Sequence, residues 1–130
     1  MKKVLLLLFG VILLTGTLQA SQHEIVKDAD DLKIRVLMEN DPPLTGENNL
    51  KIVLADSEGI PVTKAKIKVD YSMPPMGNMP PMLYKARAKF DGEGYKAKIN
   101  LSMSGPWNVA VSIKRPGKSL TRMEFQVKVP

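Results

Sequence analysis

The sequence predicts an all-β fold on three observations. From residue 32 onward apolar residues recur at every second position, short turn segments separate the runs, and no stretch there carries a helical period. At 130 residues the chain holds one domain at most. Its 44% apolar content supplies a packed core, and 10 Pro with 9 Gly stay below the level of low-complexity chains.

The elements follow in order. Leu32, Ile34, Val36 and Met38 alternate with Lys33, Arg35 and Leu37, and Leu50, Ile52 and Leu54 come next. Ala65, Ile67, Val69 and Tyr71 alternate with Lys64, Lys66, Lys68 and Asp70. Tyr84, Ala86, Ala88 and Phe90 form a further run, then Tyr95, Ala97, Ile99, Leu101 and Met103. Trp107, Val109, Val111 and Ile113 precede a last set at Phe125, Val127 and Val129. Turn chemistry punctuates them: Asp41-Pro42-Pro43, Gly46, Glu58-Gly59-Ile60-Pro61, Asp91-Gly92-Glu93-Gly94, Ser104-Gly105-Pro106 and Arg115-Pro116-Gly117. Half-buried strands at this spacing fit an immunoglobulin-like β-sandwich of about seven antiparallel strands. A barrel of five or six strands is the alternative. Trp107, Phe90, Phe125, Tyr71 and Tyr95 are expected to fill much of the core, with Met38 and Met123 beside them.

The N-terminus reads as a processing signal. Lys2 and Lys3 precede an apolar run over residues 4–14, and residues 15–20 lead to Ala20. The run is too short for a membrane-spanning helix, which needs about 20 apolar residues. The expected organisation is therefore a signal peptide over 1–20, a flexible N-terminal tail over 21–31 and the sandwich domain over 32–130. A periplasmic protein results, or a membrane-anchored one if the N-terminal segment stays uncleaved.

Composition excludes several chemistries. No cysteine means no disulfide framework, no thiolate nucleophile and no zinc knuckle. One histidine removes His-paired catalysis, no nucleophile sits beside a base, and an enzyme is not expected. Loss of residues 1–20 lowers the net charge from +6 to +4, since Lys2 and Lys3 go with them. Lys64, Lys66, Lys68, Lys85, Arg87, Lys89, Lys96 and Lys98 fall at alternate positions and are expected on solvated strand faces. An exported chain of this mild charge points away from nucleic acid.

One segment breaks the alternation. Met73-Pro74-Pro75-Met76-Gly77-Asn78-Met79-Pro80-Pro81-Met82 is palindromic about Gly77-Asn78, and its prolines and glycine bar both a helix and a central strand, so a loop is expected. In a straight polyproline II rod the methionines would stand about 9 Å apart, too far to share an ion. A type II′ turn at Gly77-Asn78 would fold the arms back and set Met76 against Met79. Met73, Met82 or Met103 could then complete a sulfur-only set. Thioethers are soft, neutral donors that favour Cu(I), or Ag(I), over zinc, calcium or magnesium. Without metal, the same flexible methionines would serve as an adaptable docking surface for a protein partner.

His23 gives a second signal. Cleavage after Ala20 would start the mature chain Ser21-Gln22-His23, whose amine, amide nitrogens and imidazole can form a square plane around Cu(II).

From about Leu32 to Val129 the chain resembles the YtkA-like and FixH-like group of small exported immunoglobulin-like domains. The resemblance rests on Pro43-Leu44-Thr45-Gly46-Glu47-Asn48, on Gly59-Ile60-Pro61-Val62-Thr63-Lys64-Ala65, on the Met-Pro loop, and on Tyr95-Lys96-Ala97 leading to Met103-Ser104-Gly105-Pro106-Trp107. It implies a non-enzymatic extracytoplasmic protein associated with copper or heavy-metal handling, efflux or oxidase assembly. Related loops often carry a histidine after the glycine, where this chain has Asn78, which leaves an all-thioether Cu(I) site. The expected partners are a metal ion and a membrane efflux or oxidase-assembly protein, with the chain a monomer. The alternative function is a metal-free accessory domain docking on such a complex.

Overall fold

The structure, a computed structural model, describes residues 23–75 and 77–130, and of His23 the backbone. The described residues form eight strands and no helix: β1 (His23–Ala29), β2 (Leu32–Met38), β3 (Gly46–Asp56), β4 (Lys66–Met73), β5 (Met82–Phe90), β6 (Tyr95–Leu101), β7 (Gly105–Lys114) and β8 (Thr121–Val129). Every pairing is antiparallel, in the order β1-β2-β3-β6-β5-β4-β7-β8. The all-β antiparallel expectation holds, with eight strands where about seven were expected. The proposed signal peptide lies outside the described residues.

The added strand is β1. Residues 21–31 were expected as a flexible tail, yet His23–Ala29 pairs along its whole length with β2, from His23 opposite Met38 to Ala29 opposite Leu32. Glu24, Lys27 and Asp28 leave too few apolar positions for an alternation to be read. Pairing comes instead from the turn, where Asp30 takes φ 55, the positive value a tight two-residue hairpin asks of its first central residue.

The order folds into a nearly closed barrel of two layers. β5 and β6 join the layers through only two residue pairs, Lys89 opposite Lys96 and Phe90 opposite Tyr95. On the far side the edges of β1 and β8 are linked where Lys27 Nζ donates to the Glu124 carbonyl at 2.7 Å. Between the layers lies one apolar core, into which β2, β4, β6, β7 and β8 direct alternate residues. Trp107, Tyr95, Tyr71, Phe125, Met38 and Met123 are buried as expected. Phe90 is the exception at 42% exposed, because β5 ends there and its ring rests on Tyr95 at 5.1 Å rather than between the layers. All eight alternating cations named above are exposed.

Loop side chains fix the connections. Asn48, 2% exposed, accepts from Leu44 N at 2.9 Å and donates to the carbonyls of Leu44 and Gly46 at 2.7 and 3.1 Å. Asp56 Oδ1 accepts from Glu58 N and Ile60 N, both at 2.9 Å. Tyr95 Oη donates to the Val62 carbonyl at 3.0 Å and accepts from Ala65 N at 3.1 Å. At Gly94 a Cβ would come within 2.9 Å of the Ile52 carbonyl oxygen, so glycine lets β3 approach closely. Among the described residues no helix is long and apolar enough to cross a membrane.

Candidate functional site

The ends of the barrel differ in chemistry. One gathers the C-terminal ends of β2, β4, β6 and β8 with the starts of β1, β3, β5 and β7, and the Met-Pro loop closes the β4–β5 hairpin there. Strand structure runs further into this loop than expected. β4 continues through Met73 and β5 begins at Met82, the two residues facing each other in register. The cause is local: a residue before proline is pushed to extended geometry, which suits Met73 before Pro74. Only residues 74–81 form the connection. Gly77 takes φ 57, the positive value expected of the first central residue of the turn, and Met79 makes an isolated β-bridge.

Three of the six expected ligands pack on the core at this end. Met73 lies on the inward face of β4, in line with Ile67, Val69 and Tyr71, and is 3% exposed. Met82, half-buried, packs on the same core, and its Sδ accepts from Ser102 Oγ at 3.9 Å. Met103 follows Ser102 by one residue and also packs on the core half-buried. Its carbonyl accepts from Trp107 Nε1 at 3.0 Å, which ties the β6–β7 turn to β7. Ser72 opposite Asn108 and Tyr71 opposite Val109 set the β4–β7 register, so Trp107 stands across from Met73. Tyr71, Tyr84 and Trp107 complete the surroundings, with ring centroids 5.4, 6.0 and 6.1 Å apart.

Met79 is 39% exposed on the outer loop. Met76 lies outside the described residues, so the expected Met76–Met79 opposition does too. His23 opens β1, its backbone opposite Met38, and its side chain is not described. A square-planar Cu(II) site would recruit the His23 amide nitrogen at a position where β1 already pairs with β2. The expectation of four methionines along an open loop edge is corrected at Met73, which the alternation of β4 turns into the core.

The donor set fits a soft monovalent ion. Its sulfurs are neutral and their surroundings apolar, where a hard cation would leave its charge uncompensated. Among the described residues no group of three or more His, Cys, Asp or Glu could hold a metal ion. The aromatic trio and the Ser102 contact escaped sequence reading. The alternation marked Tyr71, Tyr84 and Trp107 within the apolar runs of their own strands, but not that they meet.

The opposite end is built from charge. Arg115, 7% exposed, donates to Asp31 through Nη2 at 2.5 Å and Nη1 at 3.2 Å, and Lys118 Nζ joins at 3.2 Å. These donors, Arg115 first, hold the Asp31 carboxyl well below the usual carboxylate range. Thr121 Oγ1 donates to Asp30 at 2.8 Å. In the β5–β6 turn, the amides of Gly94 and Glu93 donate to Asp91 Oδ1, both at 3.0 Å, and keep that carboxyl ionised far into acid.

Comparison with known proteins places the chain. In fold it is similar to FetP of uropathogenic Escherichia coli strain F11, at a TM-score of 0.51 and 9% identity over 85% of this chain and 95% of that one. No curated protein matches. The family model described as YtkA-like matches residues 25–112, from β1 into β7. The chain belongs to the YtkA-like family.

Proposed function

We propose that this protein is an extracytoplasmic carrier or chaperone for Cu(I), with Ag(I) as the equivalent soft ion, and that the methionine end of the barrel is its binding site. One observation carries this reading: Met73 and Met82 close the loop in register, with Met103 one residue beyond the Ser102 hydroxyl that touches the Met82 sulfur. Met76 and Met79 on the connection are the further donors. Neutral thioethers hold such an ion by softness alone, and ligand exchange with a partner's sulfurs releases it without a change of protonation.

The fold is assigned as an immunoglobulin-like sandwich preceded by one strand. With β2 to β8 lettered A to G, the two-pair β5–β6 junction divides the strand order into A-B-E and D-C-F-G, two antiparallel layers of the kind that face each other in an immunoglobulin-like sandwich. The Lys2-Lys3 leader and apolar run support export to the periplasm, free after cleavage or anchored if uncleaved. No catalytic role is assigned.

A second reading has its own support. Leu83, 76% exposed, and Met79, 39% exposed, lie near each other in sequence, which suits metal-free docking on a membrane efflux or oxidase-assembly complex. Titration with Cu(I) against a competing chelator separates the two, using the wild type and a variant with Met73, Met76, Met79, Met82 and Met103 replaced by Leu. Leucine keeps the volume and removes the sulfur. Wild-type binding that is lost in the folded variant supports the carrier. Equal affinity in both proteins discards it, and retained capture of a membrane subunit by the variant favours docking.

A further inference from the structure

The outer face of the β2–β3–β6 layer holds a cleft of 960 Å³ that also borders β5. It opens where β5 leaves β6, past the two residue pairs that join them. Five cations line it, Lys51, Arg87, Lys89, Lys96 and Lys98, against the single carboxylate of Glu39, which already accepts from Asn49 Nδ2 at 2.7 Å.

The register makes this charge more than a solvated strand face. Lys51 stands opposite Lys96, and Lys96 opposite Lys89, so three ammonium groups form a row across three strands. Like charges directly opposite destabilise a sheet. Two of them are offset within the chain: Glu93 meets Lys51 at 2.7 Å and Asp91 meets Lys96 at 3.2 Å. Arg87, Lys89 and Lys98 have no carboxylate partner among the described residues. A concave surface is left with uncompensated positive charge.

We propose that this cleft docks an acidic, extended segment of a partner protein. Cations at alternate positions of β5 and β6 repeat every ~6.6 Å, the pitch at which an extended chain presents alternate side chains. A flat bilayer does not enter a cleft, and no aromatic ring lines this one to stack a nucleic-acid base. Strand addition along the free edge of β6 is interrupted at Asn100, because the Tyr71 hydroxyl already accepts from Asn100 N at 3.1 Å. Recognition therefore runs through carboxylates of the segment, with Arg87 able to take one in two-pronged fashion. Docking here is independent of metal at the methionine end.

The test is fluorescence anisotropy of a labelled peptide of alternating Glu and Thr, titrated with the full chain at low salt. The triple variant Arg87→Gln/Lys89→Gln/Lys98→Gln is expected to bind at least about tenfold more weakly. A control triple with the same loss of charge elsewhere, Lys33→Gln/Lys66→Gln/Lys128→Gln, is expected to stay within about twofold of wild type. All six residues are exposed, so both variants keep the core. Equal weakening in both triples overturns the proposal, as does equal affinity for the Gln-Thr analogue. So does binding of phosphatidylglycerol vesicles through Arg87, Lys89 and Lys98 with none of the peptide.

Discussion

The two ends of the barrel solve the same problem with different chemistry. At the charged end three carboxylates are engaged inside the fold: Asp31 takes Arg115 and Lys118, Asp30 takes Thr121, and Asp91 holds its own turn. At the methionine end closure comes from thioethers and rings, and prolines stop the β4–β5 ladder at the Met73–Met82 pair. Thioethers pack as hydrocarbon does yet keep lone pairs for a soft ion. An end closed by ion pairs is a clamp, whereas an end closed by sulfur can also be a site.

Substitutions at the two ends sharpen this contrast. The largest loss is expected for Trp107→Ala, which empties a fully buried site between Met73 and the Met103 carbonyl; urea unfolding should lose about 3–5 kcal/mol. Next comes Tyr71→Phe, which keeps the ring stack and strips the Asn100 amide of its acceptor, for about 1–2 kcal/mol by the same measurement. Met73→Leu should cost under about 1.5 kcal/mol while weakening Cu(I) binding, so that binding and folding come apart at this end.

The smallest effect is at the charged end and depends on pH. Asn at position 31 keeps an acceptor for Arg115 but carries no charge. The Arg115 and Lys118 donors lower the Asp31 carboxyl below its ordinary 3.8, so its contribution is complete above that value and vanishes as pH falls through the folded-state value. Urea midpoints of wild type and Asp31→Asn should differ by a constant amount from neutrality to about pH 5 and converge in stronger acid. Convergence at neutral pH instead would make the ion pair idle.

Strands β2 to β8 were legible because apolar residues take every second position, buried along one face in all but β5, where Met82, Ala86 and Ala88 are half-buried and Tyr84 and Phe90 exposed. β1 was not, since an edge strand with Glu24, Lys27 and Asp28 carries too little apolar pattern, and its pairing is set by Asp30 in the turn. The loop was legible as a loop, but its proline-flanked ends were claimed by the strands, which sends Met73 inward. Asp31 and Arg115 are 84 residues apart, and Tyr71 and Asn100 are 29 apart; neither contact has a local signature. The cation row was visible as alternation along each strand. Only the register across β3, β6 and β5 turns it into a cleft.

The central claim is that soft-ion binding belongs to the methionine end alone. The most direct test is NMR of methionine methyl groups, labelled with carbon-13, during titration with Ag(I). Shifts are expected at Met73, Met76, Met79, Met82 and Met103, while the core methyls of Met38 and Met123 stay in place. Unmoved loop methyls, or equal movement of Met38 and Met123, would contradict it.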